Sequence, residues 1–274
     1  MHYRRVLTIQ DISCVGQCSI TVALPILSAC GQECCVLPTA VLSTHTGGFG
    51  KPEVVNLTSD AERMWRHWKE QGITFDAILV GYLGSVEAIE LTKQILKELL
   101  APEGIAIIDP VMGDHGKLYS GFDATYVEAM KSLCSCADIL MPNITEAALL
   151  TENEYCEVIE QNYVNKLIQA LDVSRVVLTG VGFDKNSTGV LVKADGEITH
   201  YPHRKVGGSC HGTGDIFAAC FAGSLIRGEN MEKSVQIAME FTALSIENTL
   251  DEPVHWYGVK FETAIPALIR MLGE

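Results

Sequence analysis

A doubly wound α/β sheet is the fold class this sequence predicts, and three observations carry the prediction. Short apolar runs rich in Val, Ile and Leu recur along the chain, helix-period segments separate them, and run plus helix repeats roughly every 30 to 40 residues. Strands covered by helices on both faces read as continuous apolar runs, because neither face meets water. A length of 274 residues and 47% hydrophobic content supply enough apolar material for a substantial core.

The elements follow in order. Val6-Leu7-Thr8-Ile9 is the first strand, closed by Gln10-Asp11, and Ser19 to Ala29 carries helical spacing. Ser43 to Pro52, rich in Gly, His and Thr, fits neither period and is predicted to be a flap or small lid. Helical spacing returns over Ala61 to Gln71. The strand Ala77-Ile78-Leu79-Val80 then leads to Gly81-Tyr82, the helix Val86 to Leu100, and the strand Ile105-Ala106-Ile107-Ile108 before Asp109-Pro110. Asp138-Ile139-Leu140-Met141 ends near Asn143, Val158 to Leu171 is helical, and Val176-Val177-Leu178-Thr179 ends at Gly180. After Gly182 the rhythm changes. Gly189-Val190-Leu191-Val192 and Ile198-Thr199-His200-Tyr201, joined through an Asp-Gly turn, predict an antiparallel hairpin. Three helices finish the chain: Asp215 to Arg227, Met231 to Thr249 and Phe261 to Leu272. No linker, repeat or compositional break divides residues 1–274, which are read as a single domain.

Composition removes several classes of function. A formal charge of -14 without Lys/Arg clusters argues against a nucleic-acid partner. No stretch reaches the roughly 18 apolar residues that span a bilayer, and the start enters a strand pattern without a cleavage region, so no membrane association and a cytoplasmic location are expected. The ten cysteines lack zinc-site spacing and are read mostly as small buried apolar residues. The sequence contains no P-loop, no dinucleotide fingerprint after the first strand, no GxSxG elbow and no HExxH.

In an open parallel sheet, ligands bind beyond the carboxyl ends of the strands. There the chain places Gln10-Asp11, Gly81-Tyr82, Asp109-Pro110, Asn143 and Gly180. The run His211-Gly212-Thr213-Gly214-Asp215 adds glycines on both sides of Thr213 before a helix. Successive N–H groups and the helix dipole could form an anion hole without a lysine, the dipole keeping Asp215 ionised; by itself the run also reads as a tight turn with an N-terminal cap. Asp109 and Asp114 lie on a Pro- and Gly-rich loop whose carboxylates suit Mg²⁺, or that simply satisfy their own turns. Asn143 and Glu146, three apart, form a capping arrangement that could also border a phosphate site.

Together these residues resemble the ribokinase superfamily, and more closely its pyridoxal kinase branch. The resemblance covers essentially the whole chain through GTGD at 212–215, DPVMGD at 109–114, PNxxEA at 142–147 and the Ser43-Thr44-His45-Thr46-Gly47 segment. It implies a three-layer sandwich with a mainly parallel central sheet and a small flap, and ATP-dependent phosphorylation of the 5′-hydroxymethyl group of a B6 vitamer. It implies Asp215 as the base, with the N–H groups of Gly212, Thr213 and Gly214 around the transferring phosphoryl group. Asp114 and Glu146 match Mg²⁺-linked positions. Asp109, Tyr119, Asn143 and Thr179 match the nucleotide and cation surroundings, with His115 to Phe122 closing over ATP. His45, Thr46 and Tyr82 match positions that line the substrate ring. The same resemblance implies ATP and a small aromatic alcohol as partners, a monovalent cation such as K⁺, and a homodimer. One residue departs from the branch: Asp11 stands where serine is usual, beside the ring, and predicts a preference for an amine-bearing substrate. The related hydroxymethylpyrimidine kinases carry a similar HGTG run but usually Cys at the position of Asp215, and a non-catalytic binder would need no phosphoryl hole.

Overall fold

The structure, a computed structural model, describes residues 3–207, 210–252 and 254–273. In chain order its elements are β1 (Arg5–Ser13), α1 (Ile20–Ala29), β2 (Glu33–Leu42), β3 (Val54–Asn56), α2 (Thr58–Glu70), β4 (Phe75–Val80), α3 (Val86–Leu99), β5 (Leu100–Ile108), β6 (Gly113–Asp114), β7 (Lys117–Leu118), α4 (Ala124–Cys134), β8 (Ile139–Leu140) and α5 (Ile144–Leu150). Then come α6 (Gln161–Ala170), β9 (Val176–Thr179), β10 (Ser187–Ala194), β11 (Glu197–Arg204), α7 (Thr213–Arg227), α8 (Met231–Glu247), a 3-10 turn (Phe261–Ala264) and α9 (Ile265–Met271). Among the described residues, nine strands form one sheet in the order β11-β10-β9-β8-β5-β4-β1-β2-β3, and β6 and β7 pair separately. The central strands run parallel; β3, β10 and β11 pair antiparallel at the two ends.

Alternation along the strands divides the core in two. Leu7, Ile9, Ile78, Val80 and Ile108 face one side, where Trp65 of α2, Ile89 of α3, Met130 of α4 and Leu167 of α6 cover them. Val6, Ala77, Leu79, Ile107 and Ile139 face the other, under Ile26 of α1, Phe221 of α7, Phe241 of α8 and Leu268 of α9. This is the three-layer α/β/α arrangement. Phe221 and Phe241 are fully buried, each worth about 1.5–3 kcal/mol in area removed from water.

Several boundaries differ from the sequence reading. β1 continues through Asp11 to Ser13, because the β1–β2 register shifts by one residue between Gln10 and Ile12 and pairing resumes. β2, passed over in the sequence, contains Pro38, which sits where β3 has not yet begun, since β3 pairs only with Ala40, Val41 and Leu42. The helix expected from Val158 begins at Gln161, and Val158 is 74% exposed. The final helix divides into a 3-10 turn and α9. The cysteines are less buried than expected: Cys30, Cys134 and Cys220 are buried, whereas Cys14, Cys136 and Cys156 are exposed on loops and a helix end. No described helix is long and apolar enough to cross a membrane.

The chain passes from β2 on one side of β1 to β4 on the other, so the strand order reverses between β1 and β4. At such a switch point the following segments diverge and leave a crevice above the carboxyl ends. Asp11 and Tyr82 stand at its two sides.

Candidate active site

Thr213 and Gly214 form the first turn of α7, with Gly212 as its N-cap, and no side chain caps the helix. Gly212 adopts φ 79°, and a Cβ there would lie 2.1 Å from the Gln17 carbonyl oxygen. Around Gly214 nothing comes within 4 Å of the position a Cβ would take. One glycine therefore permits the turn, and the other leaves room for a ligand to approach the N–H groups and the positive end of the helix.

Asp215 is the third residue of α7. Its Oδ2 accepts the backbone N–H of Ser19 at 3.0 Å. Ser19 holds φ 54° at the entrance to α1, an uncommon conformation for serine that aims this N–H across the cleft. Its hydroxyl also favours the ionised form of Asp11, so one residue in an uncommon conformation bears on both acids. The sequence reading has the helix dipole keep Asp215 ionised. Burial works against the dipole: it pushes the carboxyl up to about 6, the Ser19 N–H opposes the rise, and the charge of Asp11 adds to it, so the ionised form holds only above that value. Asp11 is 2% exposed and is likewise raised by burial. Tyr82, pushed up to about 12 by burial and by Asp11, and Cys18, raised by burial and by both acids, complete this wall. The sequence reading missed Ser19 and Cys18. The helix start at Ser19 was visible; its reach to Asp215 was not.

A second acidic group lies beside the first. Asp109 follows β5 and its N–H donates to the Val80 carbonyl at 2.9 Å. Burial, with Glu146 and Asp215 nearby, raises its carboxyl well above the usual range. Asn143 and Glu146 form the expected capping box of α5: Asn143 Oδ1 accepts the Glu146 N–H at 3.0 Å, and Glu146 Oε2 accepts the Asn143 N–H at 2.9 Å. The box also grips the 109–116 loop. Met112 N–H donates to Glu146 Oε1 (3.1 Å), Asn143 Nδ2 donates to the Gly113 carbonyl (2.8 Å), and Gly116 N–H donates to Thr145 Oγ1 (2.9 Å). Both ends of the Asn143 side chain are thus engaged, Oδ1 in capping α5 and Nδ2 in holding the loop. Burial outweighs these bonds and pushes Glu146 up to about 8. Asp114 is exposed, its Oδ1 accepting the His115 N–H at 2.7 Å. The Tyr119 hydroxyl lies within the field of Glu146, Asp114, Asp109 and Asp215, which with burial raise its pKa. Thr179, at the end of β9, donates its N–H to the Pro142 carbonyl at 2.9 Å.

These acids bear on Mg²⁺. Carboxylates held towards neutrality, as Asp109 and Glu146 are, gain most from a nearby cation, and with the exposed Asp114 on the same loop they suit an ion that shares its ligands with phosphate oxygens and water. They do not suit a protein-only cage, since no group of three or more His, Cys, Asp or Glu among the described residues could hold a metal by itself.

The 43–52 segment joins β2 to β3 and lies across the α7 turn. His45, 4% exposed, donates from Nε2 to the Tyr257 carbonyl at 2.6 Å and accepts the Gly47 N–H on Nδ1 at 3.0 Å. Burial holds its pKa below the usual value, so the ring is neutral. Its ring centroid is 4.9 Å from His211, and Phe49 packs on Trp256 at 4.7 Å. Thr46 is exposed on the same loop. At the far end of the 115–122 segment, Phe122 stacks on Tyr126 at 3.7 Å and leans on Tyr82 at 5.6 Å.

A mainly parallel α/β/α sandwich with a helix N-terminus and acidic side chains beyond the carboxyl ends of its strands is the architecture of the ribokinase-like kinases, phosphotransferases with an alcohol acceptor. The chain belongs to the phosphomethylpyrimidine kinase family, whose sequence pattern matches residues 24–257. Its structure superposes on pyridoxal kinase from Lactobacillus plantarum with a TM-score of 0.91 and 32% identity over 98% of each chain. With a Bacteroides thetaiotaomicron protein crystallised in a form with pyridoxal, the TM-score is 0.90 at 31% identity, over 97% of this chain and 96% of that one. Pyridoxine kinase of Bacillus subtilis is 26% identical over 80% of each sequence. The thiamine biosynthetic bifunctional enzyme TH1 of Arabidopsis thaliana is 27% identical over 90% of this chain, which spans only 46% of that relative's length. These similarities place the chain in the pyridoxal kinase branch of the ribokinase superfamily.

Proposed function

We propose that the protein transfers the γ-phosphoryl group of ATP to the hydroxymethyl group of a B6 vitamer, forming the 5′-phosphate and ADP. The observation that carries this reading is Asp215: a half-buried carboxylate in the first turn of an uncapped helix, held by the Ser19 N–H and within the field of Asp11 beside the switch-point crevice. Asp215 accepts the proton of the acceptor hydroxyl as its oxygen bonds to the γ-phosphorus and the bond to the bridging oxygen of ADP breaks. Charge on the transferring group is met by the N–H groups of Gly212, Thr213 and Gly214. Phosphoryl transfer passes through a loose transition state, so such positioning matters more than a strong base. Asp109, Asp114 and Glu146 would hold Mg²⁺ with the nucleotide, where the ion supplies positive charge against the phosphates. Tyr119 and Thr179 border the nucleotide, while Asn143 positions the 109–116 loop. His45, Thr46 and Tyr82 border the ring.

A hydroxymethylpyrimidine acceptor is the second reading, favoured by the family's description and the thiamine-synthesis relative. The carboxylate at position 215 and the pyridoxal and pyridoxine kinases among the similar proteins support the vitamer. ADP release measured with ATP and pyridoxal, pyridoxine, pyridoxamine, hydroxymethylpyrimidine or ribose tests the proposal. The highest kcat/KM is expected with a B6 vitamer; a higher value with hydroxymethylpyrimidine, or ADP release independent of any acceptor, overturns it.

A further inference from the structure

Asp11 is a carboxylate to which phosphoryl transfer assigns no step. It is 2% exposed, and the groups that favour its ionised form are neutral: Ser13 Oγ donates to Oδ2 at 3.0 Å, and the Ser19 hydroxyl lies nearby. The titratable groups facing it are acids or become anionic on titration, namely Asp215 from α7, Cys18 from the loop before α1 and Tyr82 from the end of β4. Among the described residues, no lysine or arginine contributes to the charge around Asp11 or Asp215. No third residue makes a metal site with them among the described residues. A buried carboxylate beside a second acid is costly to ionise without a cation, and here the described residues supply none. Asp11 lies on β1 and Tyr82 follows β4, so the crevice between these strands borders the pair, and Asp215 is only half-buried there.

We infer that Asp11 is a specificity-determining residue that pairs with a positive charge on the acceptor, so that the site prefers a cationic ring compound, bearing an ammonium or protonated ring nitrogen, over its neutral counterpart. The inference rests on the B6-vitamer reading of the site. A cation beside Asp11 offsets its repulsion of Asp215 and leaves Asp215 ionised to accept the hydroxyl proton. Pyridoxamine and pyridoxine provide the comparison, because they differ by an aminomethyl group in place of a hydroxymethyl group on the same ring.

Wild-type kcat/KM is expected to be higher for pyridoxamine than for pyridoxine. In Asp11→Asn, which keeps the shape and removes the charge, pyridoxamine is expected to lose about ten- to a hundredfold more kcat/KM than pyridoxine, the scale of one charge-assisted hydrogen bond. Asp11→Ser should shift the ratio in the same direction, and circular dichroism establishes that each variant is folded. Equal losses for the two substrates, or a wild type that prefers pyridoxine, overturn the inference while leaving the vitamer reading intact. Should neither variant fold, the wild-type preference decides. A wild type that phosphorylates neither compound overturns the vitamer reading itself, and this inference with it.

Discussion

At the scale of single residues, the chemistry turns on how burial sets protonation. Asp215 lies between opposing influences: the α7 dipole and the Ser19 N–H favour the carboxylate, while burial and Asp11 favour the acid and prevail, giving a value of about 6. A base must be ionised to accept a proton, so activity is present above that value and lost below it. The expected kcat/KM profile therefore falls through about pH 6, close to tenfold per unit further down. Removing the charge of Asp11 should move this limb to lower pH. Asp215→Asn should lower kcat by roughly 10² to 10⁴-fold and abolish the limb. A flat profile from pH 5 to 8 in the wild type, or near-normal turnover in Asp215→Asn, would refute the assignment. The acid at 215 was legible in the sequence as one member of a motif. Its protonation was not, because that depends on the residues facing it.

At the scale of elements, the site depends on how a helix start and a loop are held. Gly212 and Gly214 flank Thr213 symmetrically in sequence but do different work. Alanine at 212 would combine a left-handed backbone with a Cβ 2.1 Å from the Gln17 carbonyl, so the turn must shift. Gly212→Ala is expected to lower the melting temperature and cut turnover at least about a hundredfold, the cost of misplacing a reacting group by about 1 Å. Alanine at 214 meets open space and improves helix propensity, so Gly214→Ala should melt no lower than wild type yet lose turnover by obstructing the phosphoryl group. Full activity in Gly214→Ala would show that nothing approaches there. Element by element, the buried strands were legible because an apolar run is a local property. The continuation of β1 through Asp11 was not, because a register shift belongs to two strands at once. The capping box at Asn143 was legible from spacing, but its grip on Met112 and Gly113, and that of Thr145 on Gly116, required α5 to be placed beside the 109–116 loop.

For the molecule as a whole, a formal charge of -14 and an acid-lined crevice make a nucleotide with four negative charges an unlikely guest without help. On the proposed reading the α7 N–H groups would answer part of this, and a divalent cation beside Asp109, Asp114 and Glu146 would answer the rest. Chelation by excess EDTA should abolish turnover and weaken ATP binding, measured by calorimetry, by at least about tenfold, both restored by Mg²⁺. ATP bound equally tightly with and without the metal would refute that donor set. The sequence by itself determined the layered α/β architecture, the crevice side of the sheet and the identity of the acids, since apolar periodicity and turn chemistry are written locally. Only the tertiary structure decided that Asp215 meets Ser19 across 196 positions of chain, that Asp11 faces it without a cation, and that burial rather than the helix dipole sets its proton. The physical reason is that desolvation and charge repulsion act through space, between groups whose separation along the chain carries no record of their distance in the fold.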